Sequence, residues 1–145
     1  DVYKRQDITN YPGAGAAGGM GGGLLAFFNA ELKPGTELLL KAIDFSEKIK
    51  GADLIITGEG KADRQTAMGK VPYGILKEAQ KEHIPVIVLA GSIENLPELN
   101  KAGFKGIFSI APGPITLEKA MEPEFAKENI TRLVSQLYSV ITSFG

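Results

Sequence analysis

Leu54-Ile55-Ile56-Thr57-Gly58-Glu59-Gly60-Lys61-Ala62-Asp63-Arg64-Gln65-Thr66 begins as a short apolar, β-branched run and ends among glycines, carboxylates and cations. Two further runs share the apolar character of Leu54–Thr57, namely Pro85–Leu89 and Gly106–Ile110. Each is nearly continuous rather than alternating, which predicts strands buried on both faces of a parallel sheet. Helical patterns fill the intervals. Over 70–82, Val71, Ile75, Leu76 and Ala79 share one face, while Lys77, Glu78, Lys81 and Glu82 largely occupy the other. Leu96–Ala102 predicts a shorter helix. Glu124–Phe144 predicts a docking helix, with Phe125, Ile130, Leu133, Val134, Leu137, Tyr138 and Ile141 at helical spacing. Upstream, Gly22–Ala30 and Thr36–Ile43 read as two helices broken by Lys33-Pro34-Gly35. Strand alternating with helix gives the fold class: α/β, with a parallel sheet flanked by helices.

The 145 residues suffice for one ordinary domain with a real core. A composition 43% apolar and 23% charged reads as soluble and globular. The net charge of −1 gives no nucleic-acid footprint. No uninterrupted apolar run approaches the roughly 18–20 residues that cross a bilayer, so no membrane partner is expected. The absence of cysteine excludes disulfides and thiolate metal sites and is compatible with a reducing, cytoplasmic setting. The single histidine, His83, precedes a strand and so falls on the edge of the sheet opposite Glu59 and Asp63. It leaves no histidine zinc cluster, and a serine–histidine–aspartate triad only through itself.

Glu59 and Asp63 stand four residues apart between glycines and cations, where an α/β sheet presents its strand ends to ligands. Hard oxygen ligands at that range suit Mg2+, with waters and substrate phosphates completing the shell. Asp63 equally suits the acceptor of a hydroxyl proton in phosphoryl transfer. Lys61 and Arg64 would then neutralise phosphate charge. The plainer reading is a polar turn in which Asp63 caps the next helix. Lys70 opens that helix, where the macrodipole disfavours a cation, so it is either held by a bound anion or simply exposed.

Pro12-Gly13-Ala14-Gly15-Ala16-Ala17-Gly18-Gly19 is the second candidate. Gly13, Gly15 and Gly18 satisfy G-x-G-x-x-G, but Thr9–Pro12 is a poor strand end and no acid-tipped second strand follows. Walker A fails at Gly69-Lys70-Val71, which lacks the upstream glycine and the following hydroxyl residue. Small residues running into a helix expose N–H groups, which suits a phosphate or carboxylate; the alternative is close helix packing permitted by glycine. Ala90-Gly91-Ser92 and Ala111-Pro112-Gly113-Pro114 fall on the same edge as Glu59 and Asp63 and leave room for a ligand.

Taken together, Pro12–Gly19, Ile56-Thr57-Gly58-Glu59-Gly60-Lys61-Ala62-Asp63-Arg64-Gln65-Thr66 and Gly69-Lys70-Val71-Pro72 resemble the type I glycerate kinase family. Leu89-Ala90-Gly91 and Ser109-Ile110-Ala111-Pro112-Gly113 agree, and the resemblance runs from about Asp7 to the end. Lys61 stands where many members carry arginine, which keeps the charge and loses the planar fork. The resemblance implies ATP- and Mg2+-dependent phosphorylation of D-glycerate by a two-domain α/β enzyme with its active site in the interdomain cleft. It implies that 7–145 is the C-terminal part of such an enzyme, whose partner is the missing N-terminal portion, and that this part alone is inactive. Asp1–Gln6 reads as a non-native, adapter-derived leader. The visible strands, about three against a usual 5–6, point the same way. On this reading Asp63, Glu59 and Lys61 are catalytic, Glu59 and Asp63 hold metal, and Gly13, Gly15, Gly18, Gly19, Gln65, Thr66 and Lys70 contact substrate or phosphate. The competing readings are a dinucleotide-binding oxidoreductase module and a non-catalytic ligand-binding domain.

Overall fold

The computed structural model describes residues 10–28 and 30–143. The leader assigned to Asp1–Gln6, and the positions of Asn29 and Phe144 in their predicted helices, lie outside the described residues. The chain divides into two compact units, Asp1–Ile43 and Asp44–Gly145.

In the first unit, α1 (Ala16–Phe28) is broken at its start, because Ala17, Gly18 and Gly19 all have left-handed backbone, with φ of 51°, 68° and 95°. The continuous helix therefore begins after Gly19. The second helix, α2 (Gly35–Ala42), carries Leu40 as its buried residue. Both helices agree with the sequence pattern, shifted by a residue or more at their ends.

The second unit contains the sheet. Its elements run α3 (Phe45–Lys48), β1 (Ile55–Ala62), a 3-10 turn (Arg64–Ala67), α4 (Val71–Lys81), β2 (Val86–Ile93), α5 (Leu96–Ala102), β3 (Gly106–Ser109), α6 (Leu117–Ala120) and α7 (Pro123–Thr142). The strands lie in the order β1-β2-β3, all parallel. Central β2 is buried continuously from Val86 to Ala90, as its unbroken apolar run predicts. The core gathers Ile49, Leu76, Ala79, Ile84, Val86, Val88, Leu99 and Phe104.

Helix α4 buries Pro72, Leu76 and Ala79, a stripe at i, i+4 and i+7. It stops because His83 turns left-handed, at φ 58°. The His83 amide then donates to the Gln80 carbonyl and the Ile84 amide to the Ala79 carbonyl, which is a Schellman closure. His83 is thus a helix terminator on the edge where β2 begins, in keeping with its distance from the carboxylates. In α7, Phe125, Leu133, Val134 and Leu137 are partly buried as expected. Ile130, Tyr138 and Ile141, placed on the same docking face by sequence, are exposed instead. Asn129 takes the buried position, its Nδ2 donating to the Phe125 carbonyl at 2.8 Å.

Glu78 ties α4 to the short α3. Ser46 Oγ donates to its Oε2 at 2.9 Å, and Lys81 Nζ to its Oε1 at 2.6 Å. The Lys81 bond, outweighing desolvation, holds the Glu78 carboxyl below its usual range. A carboxyl lowered in the folded state stabilises above its unfolded value and loses that contribution as pH falls through the lowered one. Urea unfolding of Glu78→Gln is expected to lack this part of the acid-side loss of stability; an acid limb identical to that of the unmutated chain would remove Glu78 from the account.

Candidate functional site

Parallel pairing brings the carboxyl ends of all three strands to one edge. The edge lies further along the chain than the apolar runs suggest. Sequence ends the first two strands at Thr57 and Leu89, whereas β1 continues through Gly58-Glu59-Gly60-Lys61-Ala62 and β2 through Ala90-Gly91-Ser92-Ile93. Glycine disfavours strand, which is why the pattern appears to stop. In this sheet it permits close approach: a Cβ on Gly91 would lie 2.7 Å from the Gly60 carbonyl oxygen. Glu59 and Lys61 are therefore strand residues, in register with Ala90 and Ser92. Two apart on a pleated strand, they share a face.

Asp63 comes immediately after β1 and caps the 3-10 turn. Its Oδ1 accepts from the Gln65 amide at 2.8 Å, and its own amide donates to Thr66 Oγ1 at 3.1 Å. The capping expected as the plainer reading is thus present, and it pins the carboxylate at the strand end. Lys70 Nζ faces Asp63 Oδ1 at 3.8 Å. The cation at the start of α4 accordingly has a carboxylate of its own chain opposite it. Lys61 Nζ pairs with Glu94 Oε1 at 2.8 Å. That bond, with a lesser contribution from Asp63, raises the Lys61 ammonium above its ordinary value.

Thr66 is fully buried, and its Oγ1 accepts a hydrogen bond from the Asp63 amide. Glu59 lies within β1 and Asp63 directly follows it, as the N-cap of the 3-10 turn. Among the described residues no group of three or more His, Cys, Asp or Glu could hold a metal. Glu59 is half-buried. Gln65 lies exposed on the 3-10 turn with its amide committed to Asp63.

The glycine-rich segment belongs to the first unit. Gly13 is left-handed at φ 88°, the Ala16 amide donates to the Gly13 carbonyl, and the Gly22 amide donates to that of Ala14. Gly21 packs so closely on the Gly13 carbonyl that no Cβ fits there, so close packing is one use of these glycines. Gly15, Gly18 and Gly19 have open space where a Cβ would stand. An open concavity of about 430 Å³ is lined by Ala14, Gly15, Gly19, Gly22 and Phe27 among others. Its walls carry no charged side chain, which leaves backbone N–H groups as the donors available to an anion.

Sequence reasoning missed Glu94. The signal was present: once Thr57 pairs with Val88, the same register carries Lys61 to Ser92 and leaves an acidic residue two places beyond.

Comparison with known proteins gives a consistent result. The glycerate kinase family model matches residues 1–142. The chain is 44% identical over 139 residues to a glycerate kinase of Bacillus cereus, covering 95% of this chain and 36% of that protein. It is 42% identical over 127 residues to a glycerate 2-kinase of Escherichia coli K12, covering 87% of this chain and 33% of the relative. A solved structure from Salmonella typhimurium LT2 that carries the glycerate kinase 2 name superposes with a TM-score of 0.61 at 37% identity. That match covers 90% of this chain and 34% of the other. The chain thus spans about a third of the length of the curated relatives it matches.

Proposed function

The chain belongs to the glycerate kinase family, and from that premise we propose that it forms part of a cytoplasmic enzyme transferring the γ-phosphoryl group of ATP to D-glycerate. The observation that carries the reading is Asp63, fixed at the strand edge by its cap and faced by the Lys70 ammonium at 3.8 Å. A hydroxyl oxygen of glycerate attacks the γ-phosphorus and its proton passes to Asp63. The bond to the bridging oxygen of ADP breaks, and ADP leaves. Such a transfer depends mainly on positioning and on stabilising charge spread over the phosphoryl oxygens. Lys61 and Lys70 supply that charge, Gln65 contacts substrate, and the amides around Gly13, Gly15, Gly18 and Gly19 bind an anionic group. Mg2+ accompanying ATP would be held chiefly by phosphate oxygens and water, with Glu59 and Asp63 as the carboxylates from this segment.

The remaining two thirds found in the relatives is the partner this segment needs, so the isolated chain is expected to show no turnover. Phosphorus NMR of a full-length enzyme carrying the segment, supplied with ATP, Mg2+ and D-glycerate, tests the reaction. A new phosphomonoester signal that requires glycerate supports the reading. ATP consumption indifferent to glycerate, or none from a folded enzyme, would sink it.

A further inference from the structure

Lys61 and Lys70 both lie near one carboxylate, Asp63, and the edge would work poorly if both ammonium groups settled on it. Lys70 already faces Asp63 at 3.8 Å. Lys61 follows Glu59 on the same face of β1 and also feels the Asp63 charge, yet its ammonium is bonded elsewhere, to Glu94 at 2.8 Å. We propose that Glu94 is a positioning residue that holds the Lys61 ammonium apart from Asp63, so that Lys61 is placed to meet phosphoryl charge and does not add a second cation to the carboxylate that receives the proton; this rests on the function proposed above.

Glu94 is built to act as a fixed post. Its amide donates to the Ala62 carbonyl at 2.7 Å, which continues the β1–β2 pairing one residue beyond Ile93. The next residue, Asn95, turns left-handed at φ 53° and starts α5, whose Leu99 is fully buried. The backbone on both sides of Glu94 is therefore anchored. The ion pair itself is about half-exposed on both sides, and exposed pairs of this kind add little to stability. What the pair does set is where a long, flexible side chain keeps its charge.

A double-mutant cycle on the full-length enzyme carrying this segment tests the assignment. Glu94→Gln is expected to lower kcat by up to about 5-fold, the most that an exposed ion pair can contribute to holding Lys61 in place, with a smaller change in KM for ATP. Glu94→Asp is expected to recover much of that loss, and the thermal midpoint to stay put in both variants. Because Glu94 acts through Lys61, adding Glu94→Gln to Lys61→Met should cost nothing further. Kinetics of Glu94→Gln equal to those of the unmutated enzyme, or losses that multiply in the double variant, would overturn the positioning role while leaving glycerate phosphorylation standing. An unmutated enzyme without glycerate-dependent turnover would overturn both.

Discussion

Asp63→Asn is expected to abolish most turnover in a full-length enzyme carrying this segment while leaving the fold intact. The two effects separate because the carboxylate caps a turn and, on the function proposed above, also takes a proton. As a cap, it accepts one hydrogen bond from the Gln65 amide, and asparagine is among the residues that do this equally well. The Thr66 hydroxyl bond to the Asp63 amide involves only backbone on the Asp63 side and survives the change. The contact with Lys70 at 3.8 Å is long and partly exposed, so its loss costs little stability. As a proton acceptor, by contrast, an amide has nothing to offer. General-base groups contribute about 10²–10⁴-fold, and a fall in kcat of that size is expected. Steady-state rates with saturating glycerate, beside urea unfolding curves, read both quantities. Activity kept within a few-fold would mean that the hydroxyl proton goes elsewhere.

Leu99→Ala is expected to cost the chain about 2–5 kcal/mol, the range for removing a fully buried leucine. Leu99 has no exposed surface and belongs to the core with Leu76, Val86, Val88 and Phe104. Its helix, α5, packs on both β3 and the 3-10 turn that Asp63 caps. The cavity therefore opens behind the site as well as in the core. Chemical denaturation measures the loss, and Leu117→Ala supplies the comparison. Leu117 is 75% exposed, so its truncation should stay within about 0.5 kcal/mol. Equal effects from the two leucines would contradict the assigned core.

The sheet was legible because Val86–Ala90 is apolar without interruption, and only a strand covered on both faces needs that. Helix α4 was legible from its apolar spacing and α5 from the helical pattern between two strands. The strand ends were hidden by Gly58, Gly60 and Gly91; at Gly91 the glycine serves a close backbone approach, a tertiary property that propensity does not carry. That hidden extension moved Glu59 and Lys61 from a loop into β1 and concealed Glu94. The burial of Thr66 was hidden for a related reason. A threonine among charged residues looks available, and only the capping geometry shows its hydroxyl turned inward. On α7, Ile130, Tyr138 and Ile141 have the right period but lie exposed, since spacing alone does not say how wide a stripe the neighbouring elements cover.

The central claim is that the β1 edge from Glu59 to Lys70 serves glycerate phosphorylation and needs the rest of the enzyme to do so. Glycerate-dependent ADP release, measured side by side for the isolated chain and for a full-length enzyme carrying it, tests this most directly. The account predicts release by the full-length enzyme, dependent on D-glycerate, and none by the chain alone. Absence of release from a folded full-length enzyme would contradict the function, and turnover by the isolated chain would contradict its dependence on the remainder.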